Sequence, residues 1–161
     1  MSLPRIVTLG VYGLSEEEFF ALLQDAQVDL FCDIRRRRGV RGSQYAFVNS
    51  QRLQQRLADL GIAYRHAKEL APGEVVRQVQ AKADKASKIA KRQRTGLDPA
   101  FIDAYYETVL TDFSPQAFLA TLSPDVKTIA FFCVERAPEA CHRSLVAQTF
   151  ADLGLEVTHL G

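Results

Sequence analysis

The sequence predicts an α/β fold: a mostly parallel β-sheet flanked by helices, one domain over residues 1–161, with a helical insertion at about residues 74–122. Three observations predict it. Short β-branched, apolar segments alternate with segments of helical period. Those apolar segments are continuous in the middle, as in strands buried on both faces. The 161 residues suit a single domain, with no internal repeat or low-complexity tract.

Arg5 to Gly10 reads as a first strand closed by glycine. Ser15 opens a helix as a capping box with Glu18, and Phe19, Leu22 and Leu23 share its inner face. Val28 to Ile34 is a second strand. A basic, irregular stretch from Arg35 to Phe47 precedes a helix from Ser50 to Leu60, which Gly61 ends. Ile62 to Arg65 is a third strand, and Ala71-Pro72-Gly73 breaks the chain. Glu74 to Arg94 is one amphipathic helix, with Val76, Val79 and Ala83 on one side and Arg77, Lys85, Lys88, Lys91 and Arg92 on the other. Asp98-Pro99 opens a helix running to about Leu110, and Ser114-Pro115 a shorter one ending near Leu122. This block is long enough to cap one end of the sheet. Lys127 to Cys133 is the clearest strand and is expected at the centre, parallel to its neighbours. A loop through Pro138 leads into a helix ending at Leu153-Gly154, and Glu156 to Leu160 is a last strand.

The formal net charge is +1, so any anion binding must come from a local patch. Three cysteines, Cys32, Cys133 and Cys141, do not make a secreted disulfide framework. The first residues lack the apolar run of a signal peptide, and no stretch reaches the ~20 apolar residues of a membrane span. The expectation is a cytoplasmic protein with reduced thiols and no membrane partner; oligomeric state is left open.

Ligands of open parallel sheets bind outside the carboxyl ends of strands. Two such ends carry reactive groups here: Cys32-Asp33-Ile34-Arg35, and the segment from Cys133 and Glu135 to Cys141-His142-Arg143. The second places a thiol and a carboxylate at a strand end, then a thiol, an imidazole and a guanidinium near a helix start. A helix start favours anions and thiolates. Arg143 has the fork to hold a phosphate or carboxylate. Plain packing is the rival reading. His142 falls on the helix face of Leu145, Val146 and Phe150, and cysteines are common small core residues. Cys133, Cys141 and His142 with Cys32 or Glu135 are also zinc-ligand types, but no Cys-x-x-Cys or His-x-x-x-His spacing occurs. No metal is therefore expected, and no cofactor is singled out. Walker, Rossmann and Gly-x-Ser-x-Gly fingerprints are missing too.

Arg35-Arg36-Arg37-Arg38-Gly39-Val40-Arg41 is a second signal. Consecutive arginines after a strand end repel one another and call for an anion or carboxylates nearby. With Lys85, Lys88 and Arg92 on the basic helix face, and Tyr45 and Phe47 to stack on bases, they suit nucleic acid. A solvated, salt-bridged face is the plainer reading.

The segment from Cys133 and Glu135 to Pro138-Glu139-Ala140-Cys141-His142-Arg143-Ser144 resembles the hallmark of the family called domain of unknown function 488. Thr8-Leu9-Gly10, Asp33-Ile34-Arg35 and the stretch from Tyr64-Arg65-His66 to Glu69-Leu70 resemble its other segments. The resemblance implies an α/β fold and no established reaction. Many members carry a histidine after the first turn's glycine, where this chain has Val11, with Tyr12 next. Two functions are expected as alternatives. One is a small enzyme on an anionic or phosphate-bearing substrate, with Cys141, His142, Glu135 and Cys133 as catalytic candidates and Arg143, Asp33, Arg35 and Tyr12 as binding candidates. The other is a non-catalytic nucleic-acid-binding module using Arg36, Arg37, Arg38, Arg41, Lys85, Lys88 and Arg92.

Overall fold

A computed structural model describes residues 3–86 and 96–161. Its five strands are β1 (Arg5–Leu9), β2 (Leu30–Asp33), β3 (Ala63–His66), β4 (Thr128–Phe132) and β5 (Val157–His159). They form one sheet in the order β3-β2-β4-β1-β5, parallel at every pairing. The apolar run at 128–132 is thus the central strand, buried throughout.

Side chains alternate across a strand, and the phenylalanines show which helices cover which face. Phe132 packs against Phe19 of α1 (Glu16–Asp25), while Phe131 meets Phe118 of α5 (Pro115–Ala120) and Phe150 of α6 (Arg143–Ala151). Between these lie α2 (Ser50–Asp59), α3 (Glu74–Ala86) and α4 (Pro99–Tyr105). Covering both faces makes the α/β fold that the run of strands and helices predicts. Among the described residues no helix is long and apolar enough to cross a membrane.

The Ser15–Glu18 capping box forms, each side chain bonded to the other's backbone N–H at 3.1 and 3.0 Å. Ser15→Ala is expected to cost about 1 kcal/mol, read as a fall of roughly 2–4 °C in Tm.

Two elements differ from the sequence expectation, and a third is described only in part. The helix expected from Asp98 to Leu110 ends its α-helical part at Tyr105 and continues as a π turn, Tyr106–Leu110. Both the N–H and the hydroxyl of Thr111 bond the Tyr106 carbonyl, which widens the turn. The helix expected after Pro138 divides. Pro138–Ala140 is a single 3-10 turn, Cys141 is extended, and α6 starts afresh at Arg143. The basic helix is described to Ala86, so Lys88, Lys91 and Arg92 lie outside the described residues.

β2 and β4 lie side by side, yet their onward connections part. β2 leads through α2 to β3 on one flank; β4 leads through α6 to β5 on the other. Such a divergence opens a crevice at the carboxyl ends of the two strands.

Candidate functional site

That crevice is a cleft of about 680 Å³. Its floor comes from strand ends and the start of α6: Tyr12, Arg35, Cys133, Glu135 and His142. The loop after β2 contributes Arg36, Arg37 and Arg41, and the wall across from the sheet comes from α3 and α4, including Arg77 and Phe101. The α3–α4 part of the expected insertion therefore caps the strand ends, whereas α5 packs on the sheet face. The arginine loop and the cysteine–histidine segment, separate signals in the sequence, border one cavity.

Arg35 is 4% exposed and Asp33 fully buried, and they form a two-pronged ion pair. Asp33 accepts Nε and Nη2 of Arg35, both at 2.8 Å, the Arg35 backbone N–H at 3.2 Å and the Tyr64 hydroxyl at 2.8 Å. Burial, together with the Asp33 contact, pushes the Tyr64 hydroxyl up to about 12. Arg35 Nη2 also donates to the Val48 carbonyl. Its Nη1 is buried without a hydrogen-bond partner among the described residues, in a side chain that borders the cleft. Asp33 is thus the support of Arg35 rather than a cleft residue.

Two histidines fix the backbone beside that pair. His142 Nε2 lies 3.0 Å from the Ile34 carbonyl and His66 Nε2 lies 2.7 Å from the Arg35 carbonyl. A carbonyl only accepts, so each Nε2 carries the proton, and Nδ1 of neutral His142 presents a lone pair. That nitrogen faces Cys141 Sγ at 3.8 Å. The Arg143 N–H, at the start of α6, points to the same sulfur at 3.5 Å. The Cys133 and Cys141 sulfurs and a His142 ring nitrogen all lie within 4.8 Å of one another. All three residues are buried, Cys133 and His142 border the cleft, and Cys141 lies behind them. A hydrogen bond shared with Cys141, and burial, push the Cys133 thiol up to about 12, so it stays protonated at neutral pH. Burial alone would pull His142 down; charge and hydrogen bonding with Cys133, the Ile34 carbonyl and Glu135 outweigh it and raise it. Cys32 is buried on β2 outside this cluster, and burial pushes it to about 12 as well.

Arg143 departs from its expected role as an anion clamp. It is fully buried, with Nη1 donating to the Glu135 carbonyl at 2.5 Å and Nη2 to the Arg136 carbonyl at 3.1 Å. A guanidinium held by two carbonyls is a brace between α6 and the loop after β4. Gly10 completes the brace, because a Cβ there would stand 1.9 Å from the Glu135 carbonyl oxygen. This was missed in the sequence, where Gly10 looks like an ordinary strand end. The resemblance of Thr8-Leu9-Gly10 to a family segment was the available signal. Val11 is buried in the core and Tyr12 borders the cleft, packed against Tyr45. Arg38 leaves the basic group, donating to the Tyr64 hydroxyl at 3.4 Å, whereas Lys85 is exposed away from the cleft lining.

The family model described as Domain of unknown function DUF488 matches residues 15–150. No curated protein and no solved structure matches the chain.

Proposed function

We propose that this chain, which belongs to the DUF488 family, is a small enzyme acting on an anionic, phosphate-bearing substrate held in the cleft outside β2 and β4. The observation that carries the proposal is the shared cavity: Arg35, Arg36, Arg37, Arg41 and Arg77 border the same space as Cys133, Glu135 and His142. Arg35 is the innermost anion contact, because Asp33 holds two of its nitrogens and leaves Nη1 to a ligand oxygen. Arg36, Arg37 and Arg41 are exposed and draw the anion in. Glu135 is the proton-transfer group at the inner end, and His142 borders the same end with its Nε2–H committed to the Ile34 carbonyl. Cys133, protonated in a buried setting, is a poor thiolate nucleophile on its own. Three buried free thiols accord with the reducing cytoplasm, where we place the protein.

The test is calorimetric titration with inorganic pyrophosphate at low salt. Wild type is expected to bind. Arg36→Gln, Arg37→Gln and Arg41→Gln are each expected to weaken binding up to roughly tenfold, with the effect fading as salt screens their steering field. Absence of binding by pyrophosphate and by mononucleotides would refute the pocket. Salt-steep binding of oligonucleotides, with no uptake of either small anion, would instead favour the non-catalytic nucleic-acid module.

A further inference from the structure

We propose that Cys133, Cys141 and His142 form a binding site for one soft divalent cation of the zinc type, with its open coordination position facing the cleft. The missing Cys-x-x-Cys spacing argues against metal only while the chain is read in one dimension. The end of β4 supplies Cys133, and the extended residue before α6 supplies Cys141 beside His142. In a tetrahedral zinc site, ligand atoms stand about 3.5–3.8 Å apart, from Zn–S ≈ 2.3 Å and Zn–N ≈ 2.0–2.1 Å. Cys141 Sγ and His142 Nδ1 are already at 3.8 Å. The whole trio lies within 4.8 Å, so rotamer-scale movement closes the set.

Three features beyond proximity favour a metal. The His142 Nε2–H is fixed on the Ile34 carbonyl at 3.0 Å, the outer-shell bond that orients a ligating imidazole through its other nitrogen. The Arg143 N–H points at the Cys141 sulfur at 3.5 Å, the kind of outer-shell donor that holds a metal-ligating sulfur in place. Two of the three ligands border the cleft and the third lies behind, so the fourth position opens toward substrate. Three protein ligands with one open position is the pattern of a catalytic zinc rather than a structural one. The Glu135 carboxylate is not among the clustered atoms but borders the same cleft. With a metal bound, Glu135 would be the non-ligating carboxylate available to pass protons to and from a water in the open position. Binding converts both thiols to thiolates, and their two protons go to solvent. This site stands on the three side chains and is independent of which anion the arginines select.

The experiment is cobalt(II) titration of the full-length, reduced, chelator-treated protein, followed by zinc(II) displacement. One cobalt per chain is expected, with the visible bands of a tetrahedral ion and sulfur-to-cobalt charge transfer from two thiolates. Zinc should bleach them stoichiometrically. Cys32→Ser should leave the spectrum unchanged. Cys133→Ser, Cys141→Ser and His142→Ala should each weaken binding by more than the roughly 100-fold that outer-shell changes can cost. The wild-type spectrum counts thiolates by itself, so the test survives if one variant fails to fold. An octahedral spectrum without thiolate bands, no stoichiometric uptake, or full binding by Cys141→Ser would overturn the proposal. Pyrophosphate titration of the metal-free protein reports on the arginines separately.

Discussion

Asp33→Ala is expected to destabilise the protein by about 3–5 kcal/mol, the usual result of removing one partner of a buried ion pair. Asp33 is fully buried and accepts four hydrogen bonds, three from Arg35 and one from Tyr64. Without it the Arg35 guanidinium, 4% exposed, sits over the Phe132 ring with only the Val48 carbonyl to hold it. Urea unfolding should show the loss as a lower midpoint at nearly constant slope. Adding Arg35→Met to Asp33→Ala should recover a large part of the loss, because the uncompensated charge goes with it. A single-variant loss under about 1 kcal/mol would mean that water reaches the pair and the strand end is looser than described.

Gly10→Ala is expected to cost at least about 3 kcal/mol, in the range reserved for substitutions with a definite steric cause. The added Cβ would lie 1.9 Å from the Glu135 carbonyl oxygen and 2.8 Å from its carbon. Both are backbone atoms, so no side chain can swing away. The segment they belong to is fixed on the other side by Arg143, and Val11 and Tyr12 donate to the Val134 carbonyl at 3.1 Å. Either β1 or the loop after β4 must move, and that loop carries Cys133 and Glu135 into the cleft. The variant should lose pyrophosphate binding together with stability. Gly39→Ala is the control: nothing lies within 4 Å of its added carbon, and the change should stay within about 0.5 kcal/mol. Thermal unfolding of both variants decides the matter. A Gly10→Ala protein as stable as wild type would remove the brace.

The sheet was legible because it is a matter of composition along the chain. The run from Thr128 to Phe132 has no polar interruption after its first residue, and only a strand covered on both sides tolerates that. The position of the cleft followed from strand direction. The roles within it were harder to read. Arg143 and Arg35 look alike in sequence, each beside a short reactive motif. Only the fold decides that one guanidinium meets carbonyls and the other borders a cavity. Cys133 and Cys141 come together because the chain turns once at Pro138–Ala140 and then extends through Cys141. Helix propensity favoured one continuous helix through that stretch, which would have put Cys141 a turn inside. The π turn at Tyr106–Leu110 likewise has no mark in the periodicity, since it rests on one threonine sharing a carbonyl.

The strand order also governs when the protein can fold. Arg5 pairs with Thr128 and Ile6 with Val157, so β1 has both its neighbours at the far end of the chain. During synthesis the first strand leaves the ribosome with nothing to pair with, and it stays so until the central strand has been made. The β2–β3 pair closes over a short stretch and can form early, but β4 must then slot between two segments already present. Loop closures of this length slow folding, and the waiting apolar segments are exposed to association with other chains. The expected behaviour is a single late collapse after nearly the whole chain has emerged, with truncations before Thr128 depending on chaperones to stay in solution.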